Sequence, residues 1–260
     1  MSAMVGSYNF ADQVQEESLG PHPSRRGGLG RRIARVMFRH VPNLLTGLRL
    51  VLAIVFFSML AYYQFEGRGD PTFLWVAFIV YLVALITDFL DGFLARRWKV
   101  EGAFGRIVDP FVDKILVLGS FTFFAGKNFI IPETVVHGGA REMVVKTLTG
   151  VAPGIVVILL ARELLVTSLR GSSESTGKNF GAQFSGKLKM VVQSVTILVI
   201  LVYVNYYQQL QKHGYETYAA NVRDFCIWAT VAITVISGIL YIQRAIGLYR
   251  EHNRATAGAA

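Results

Sequence analysis

Between Leu44 and Tyr63 only Arg49 is charged, and apolar runs of this kind recur five more times along the chain. A hydrocarbon layer about 30 Å thick is crossed by about 20 predominantly apolar helical residues. The other runs are Phe73–Phe93, Ile107–Ala125, Gly150–Leu169, Lys187–Tyr207 and Phe225–Leu248. In lipid, backbone N–H and C=O groups must find partners within the segment, so such runs are helices. Hydrophobic residues make up 53% of the chain, and their grouping into runs excludes an ordinary soluble domain. The expected fold is all-α: a polytopic membrane protein with six transmembrane helices and a preceding interfacial helix.

The net charge of +9 is laid out by loop. Basic residues cluster before the first run, between the second and third (Arg96, Arg97, Arg106), between the fourth and fifth (Arg170, Lys178), and after the sixth (Arg244, Arg250, Arg254). The alternate loops are sparser and mixed in sign. By the positive-inside rule both termini face the cytoplasm, across a cytoplasmic (inner) membrane. Alternation of this kind fits anionic lipid headgroups as partners and not nucleic acid. Residues 1–28 are polar, rich in Gly and Ser and without apolar periodicity, so they are expected to form a disordered tail with no secretory signal. Residues 29–41 alternate basic and apolar residues at helical spacing and are expected to be a juxtamembrane amphipathic helix. The membrane domain then covers 42–250, and 251–260 form a C-terminal tail. The lone Cys226 and the five histidines fall in no metal-ligand spacing.

Four carboxylates interrupt the second and third runs. Asp88 and Asp91 are three apart near the end of one, and Asp109 and Asp113 four apart near the start of the next, so each pair shares a helical face. An ionised carboxylate at mid-bilayer costs about 2.5–3.5 kcal/mol even on the lenient insertion scale. Divalent cations reverse that cost, and hard oxygen ligands suit Mg²⁺ or Mn²⁺. Two such ions form a clamp for in-line displacement at phosphorus. Gly92 and Gly105 allow a ligand to approach the helix backbone closely. Ala95 keeps the same face narrow, and Arg96 suits a phosphate at the membrane surface.

Together these residues read DxxDGxxAR, eight residues, then GxxxDxxxD. The pattern resembles the signature of the CDP-alcohol phosphotransferases, with every position filled. The resemblance implies a six-helix membrane fold, usually homodimeric, whose site opens to the cytoplasm. It implies two divalent ions held by Asp88, Asp91, Asp109 and Asp113, with Asp113 as general base. It also implies a CDP-linked donor bordered by Gly92, Ala95, Arg96 and Gly105, and release of CMP.

Three further stretches bear on the acceptor: "VPNLLTGLRLVLA" (41–53), "ARELLVTSLRG" (161–171) and "GKLKMVVQ" (186–193). Asn43, Thr46 and Arg49 share a helical face. Arg162 and Arg170 lie eight apart, and Lys187 and Lys189 enter from the next run. Pointed inward, they form a cationic funnel for an acceptor that carries its own phosphate. Arg162 lies inside an apolar run and requires an anion. Glu163, adjacent to it, does not face it on a helix, so a bound phosphate is the expected partner. The three stretches are similar to those of the phosphatidylglycerophosphate synthases within the family. The implied donor is CDP-diacylglycerol and the implied acceptor sn-glycerol 3-phosphate, its phosphate held by Arg49, Arg162, Arg170 and Lys187, with Asn43 and Thr46 in support. Phosphatidylinositol phosphate synthase and cardiolipin synthase share the aspartates and stay open as alternatives. A cation transporter is the rival from another class, disfavoured by the single aspartate cluster and the missing internal repeat. The segment 133–153 lengthens one connection beyond the family pattern and is expected to form a short helix on the outer surface.

Overall fold

The computed structural model describes residues 26–65, 71–98, 103–137, 140–175 and 184–257. Among them are six helices: α1 (Arg26–Tyr62), α2 (Pro71–Trp98), α3 (Ala103–Phe124), α4 (Pro153–Ser175), α5 (Phe184–Lys212) and α6 (Glu216–Ala257). Helix α1 packs on α2 and α3, α2 on α5, α5 on α6, α6 on α4, and α4 on α3. These contacts close a ring, and α3 also touches α5 across it.

Each helix divides its apolar residues between two surfaces. In α1, Ala53, Phe56 and Leu60 recur one or two turns apart and are buried, whereas Val51, Ile54 and Val55 are exposed. In α2, Leu74, Ala77, Tyr81 and Ala84 are buried while Val76, Ile79, Val83 and Ile86 face outward. Exposed apolar surface on this scale is a liability in water, but lipid tails are as apolar as leucine, so packing between helices selects the inner face instead. Gly119 shows what that packing requires. A Cβ there would lie 2.5 Å from Cζ of Phe57, so the missing side chain lets α3 lie close against α1.

Among the described residues four helices carry spans long and apolar enough to cross a membrane: Leu44–Tyr62, Thr72–Leu90, Leu188–Lys212 and Glu216–Gly247. The chain is an integral membrane protein. Helices α3 and α4, with 22 and 23 residues, are long enough at about 1.5 Å per residue to cross about 30 Å. Charge is what separates them from the other four: Asp109, Asp113 and Lys114 in α3, and Arg162, Glu163 and Arg170 in α4.

Three sequence expectations are revised. The interfacial segment 29–41 is not a separate helix, because α1 runs without a break from Arg26 into the first span. Residues 251–257 continue α6 and do not form a tail. The expected helix in 133–153 is instead a β-hairpin, in which β1 (Ile130–His137) pairs antiparallel with β2 (Ala140–Thr147), His137 opposite Ala140 and Ile130 opposite Thr147. Thr134, Val135, Val136, Val144, Val145 and Thr147 are β-branched, and such side chains lose rotamer freedom in a helix but fit a pleated surface.

The hairpin joins the bundle at the end far from Asp88. Asn128 Nδ2 donates to the carbonyls of Leu60 and Ala61 at 3.0 and 3.1 Å, satisfying the end of α1. Thr149 Oγ1 donates to the Phe124 carbonyl at 2.6 Å, and Arg223 Nη1 to that of Leu148 at 2.6 Å. Arg223 also lies 4.5 Å from the Tyr203 ring centroid and pairs with Asp224 at 2.7 Å. The turn between them needs Gly150, whose φ is +71° and whose added Cβ would meet Arg223 Nε and Asp224 Oδ1 at 2.8 Å. Left-handed backbone costs an ordinary residue about 1–2 kcal/mol. Gly150→Ala should therefore lower the thermal midpoint in detergent while leaving kcat within twofold of wild type, on the order of what a remote change does.

Candidate active site

Two clusters of charged side chains lie inside the bundle, linked by neighbouring residues of α3. The first joins α1, α2 and α3. Arg49, on the inner face of α1 and 1% exposed, places one nitrogen, Nη1, 2.8 Å from Asp88 Oδ1 and 2.5 Å from Asp113 Oδ1. Both carboxylates keep partial access to solvent, Asp88 at 31% and Asp113 at 24%. Since α1 packs against both α2 and α3, it carries the cation to a point that aspartates from two helices reach together. Thr46, one turn before Arg49, is fully buried. Gly92, one turn after Asp88, is exposed, as access for a bulky ligand requires.

Two carboxylate oxygens that touch a single nitrogen can also touch a single metal ion, and hard anionic oxygens are the donor set for Mg²⁺ or Mn²⁺. Among the described residues no group of three or more His, Cys, Asp or Glu comes together; Asp88 and Asp113 meet at the Arg49 guanidinium. Asp91 follows Asp88 by three residues in α2, and Asp109 precedes Asp113 by four in α3. The side chains of Asp91, Asp109, Ala95, Arg96, Gly105, Asn43 and Lys187 lie outside the described residues, although all but Gly105 and Asp109 stand in α1, α2 or α5, and those two stand in α3.

The second cluster joins α3, α4, α5 and α6. Glu163 Oε2 accepts from Arg162 Nη1 at 2.9 Å and pairs with Lys189 Nζ. Arg162 Nη2 donates to Ser237 Oγ at 2.6 Å, and its guanidinium lies 5.5 Å from the Tyr241 ring centroid. Lys114 Nζ donates to Thr167 Oγ1 at 2.8 Å, and that hydroxyl donates to the Glu163 carbonyl at 2.8 Å. The cluster thus brings two cations, Arg162 and Lys189, to one carboxylate, with Lys114 tied in through Thr167 and the Glu163 backbone carbonyl. Arg162 and Lys189 side chains are 8% and 6% exposed. A net positive charge so placed in a membrane bundle is suited to hold a further anion.

The sequence reading of this region is corrected in one respect. Arg162 does have Glu163 as its partner. Adjacent residues diverge at Cβ, but a guanidinium on three methylenes bends back far enough to meet a neighbouring carboxylate at its tip. Arg49 contacts Asp88 and Asp113, and Arg170 stands two turns beyond Arg162 with an exposed side chain. Three participants escaped the sequence reading. Glu163 is adjacent to Arg162, a spacing that does not pair side chains across a helix face. Lys114 sits next to Asp113 and shares no face with it, and Ser237 lies in the last span, which carries no motif. The alternating "GKLK" stretch was the available signal for Lys189, since of its two lysines this one is buried.

A family model described as CDP-alcohol phosphatidyltransferase matches residues 39–236, and the chain belongs to that family. The match covers Arg49, the four aspartates, Lys114, Arg162, Glu163 and Lys189, stopping one residue short of Ser237. Within the family the chain is similar to the CDP-diacylglycerol–glycerol-3-phosphate 3-phosphatidyltransferase of Cereibacter sphaeroides, 25% identical over 238 residues, or 81% of this chain and 97% of that one. The enzyme of the same name from Bacillus subtilis is 27% identical over 213 residues, covering 79% and 94%. A protein from Mycobacterium tuberculosis named probable phosphatidylglycerophosphate synthase is 31% identical over 217 residues, covering 84% and 87%.

Proposed function

We propose that this protein transfers the phosphatidyl group of CDP-diacylglycerol to sn-glycerol 3-phosphate, forming phosphatidylglycerophosphate and CMP in phospholipid biosynthesis. One observation carries the choice of acceptor in a chain with such relatives: Lys114, bonded into the cation-rich second cluster, is the residue after Asp113. An acceptor whose phosphate lies among Lys114, Arg162 and Lys189 presents its far hydroxyl toward the aspartates. Arg170 and Lys187, nearer the helix ends, guide that phosphate inward from the cytoplasmic surface.

Asp113 accepts the proton of the C1 hydroxyl, and the freed oxygen attacks the β-phosphorus of the donor directly. The bond from that phosphorus to the CMP oxygen breaks, and CMP leaves. Asp88, Asp91, Asp109 and Asp113 would hold Mg²⁺ or Mn²⁺, which would supply Lewis-acid stabilisation of the diphosphate charge. Gly92, Ala95, Arg96 and Gly105 border the cytidine diphosphate, and Thr46 and Asn43 steady the turn of α1 that carries Arg49. Transfer at phosphorus depends chiefly on positioning and electrostatics. The same reading takes all six helices as membrane crossings in a homodimer of the inner membrane, with both termini and the site on the cytoplasmic side, consistent with the loop charges.

The test is CMP release from CDP-diacylglycerol by purified protein in detergent with Mg²⁺, run separately with glycerol 3-phosphate, inositol phosphate, phosphatidylglycerol and no acceptor. Release only with glycerol 3-phosphate, lost with a chelator, is the expected result. Release with a different acceptor alone would reject the acceptor reading, and no release from folded protein would reject the reaction.

A further inference from the structure

Asp88 and Asp113 reach the same nitrogen of Arg49, and a guanidinium and a metal ion cannot both stand between the same two oxygens. We infer that Arg49 is a tethered counter-ion that competes with divalent metal for these aspartates, so that metal binding and release of Arg49 are a single event. The inference rests on the metal-site reading above. Arg49 is 1% exposed, so water is not at hand to solvate the guanidinium where it stands. Its helix is pressed against α3 at Gly119 and Phe57, which keeps the Arg49 backbone in place when the side chain turns. A guanidinium released within the bundle needs another anion. Phosphate oxygens accept its planar fork well, and both substrates of the proposed reaction bring them. Arg49 is then a positioning residue with two successive partners: the aspartates before metal binds, and substrate phosphate afterwards. Filling of the metal site thereby prepares the phosphate-binding side chain.

Because binding free energies are reciprocal, a competitor lowers metal affinity by the strength of its own contact. Full-length protein in detergent micelles, without substrates, would be titrated with Mn²⁺ and the free ion followed by electron paramagnetic resonance. Arg49→Gln should bind Mn²⁺ about tenfold more tightly than wild type, within the usual range of such couplings. Arg49→Lys, which keeps the charge but loses the fork, should fall between the two and carries the test should the glutamine variant fail to fold. Affinity equal to or weaker than wild type in the folded variant would overturn the inference while leaving the metal site standing. Failure of wild type and both variants to bind Mn²⁺, with CMP release persisting in chelator, would overturn the metal reading and this inference with it.

Discussion

Asp113→Asn should lower kcat for CMP release by at least about 10²–10⁴-fold, the range that a positioned general base contributes. The substitution keeps the shape of the side chain and its contact with Arg49 Nη1, now 2.5 Å from Oδ1, while removing the charge and the basic oxygen. Loss of a metal ligand alone would have a different signature. Asp88→Asn also removes a carboxylate from Arg49 and from the metal site, yet Asp88 has no part in the proton transfer. Raising Mn²⁺ should therefore recover much of the activity of Asp88→Asn and little of that of Asp113→Asn. Equal recovery of both variants would leave Asp113 as a metal ligand only and remove it as the base. Circular dichroism of the two variants, expected to match wild type, separates either effect from unfolding.

The helices were legible because lipid simplifies the sequence problem: an apolar run of sufficient length has few alternatives to a helix. The aspartates were legible because a carboxylate in such a run is costly and their spacing puts each pair on one face. What the sequence concealed depends on relations between helices. The partner of Arg49 comes from two other helices, and its basic character alone suggested a phosphate. Glu163 was discounted by a rule for side chains that stand off a helix, whereas Arg162 and Lys189 reach it along flexible stems. The hairpin was missed because Thr134–Val136 and Val144–Thr147 carry competing signals, apolar spacing compatible with a helix and β-branching that favours strands. Pairing with a second segment decides between them, and one segment does not reveal it.

Glu163→Gln should cause the largest loss of stability of any conservative change at the site. It leaves Arg162 and Lys189, 8% and 6% exposed, with no carboxylate between them. Removing one member of a buried ion pair typically costs about 3–5 kcal/mol, chiefly through the charge left behind. The thermal midpoint in detergent should fall accordingly, and the KM for glycerol 3-phosphate should rise because Lys189 and Arg162 are no longer held. The double variant Glu163→Gln with Lys189→Met separates fold from function. It removes one of the two orphaned charges and leaves Arg162 on Ser237 and Tyr241, so stability should return part of the way toward wild type. The KM should stay high, since one of the three cations proposed to hold the phosphate is gone. Recovery of KM together with stability would make the cluster a structural tie between α4, α5 and α6 and would move the acceptor phosphate elsewhere. Persistence of the high KM in a stable protein would fix Glu163 as the residue that aims two cations at an anion, and explain why a carboxylate stands in a seat meant for phosphate. Two unneutralised buried cations in a lipid-embedded bundle are costly to fold, and one carboxylate offsets part of that cost while leaving net charge for the substrate.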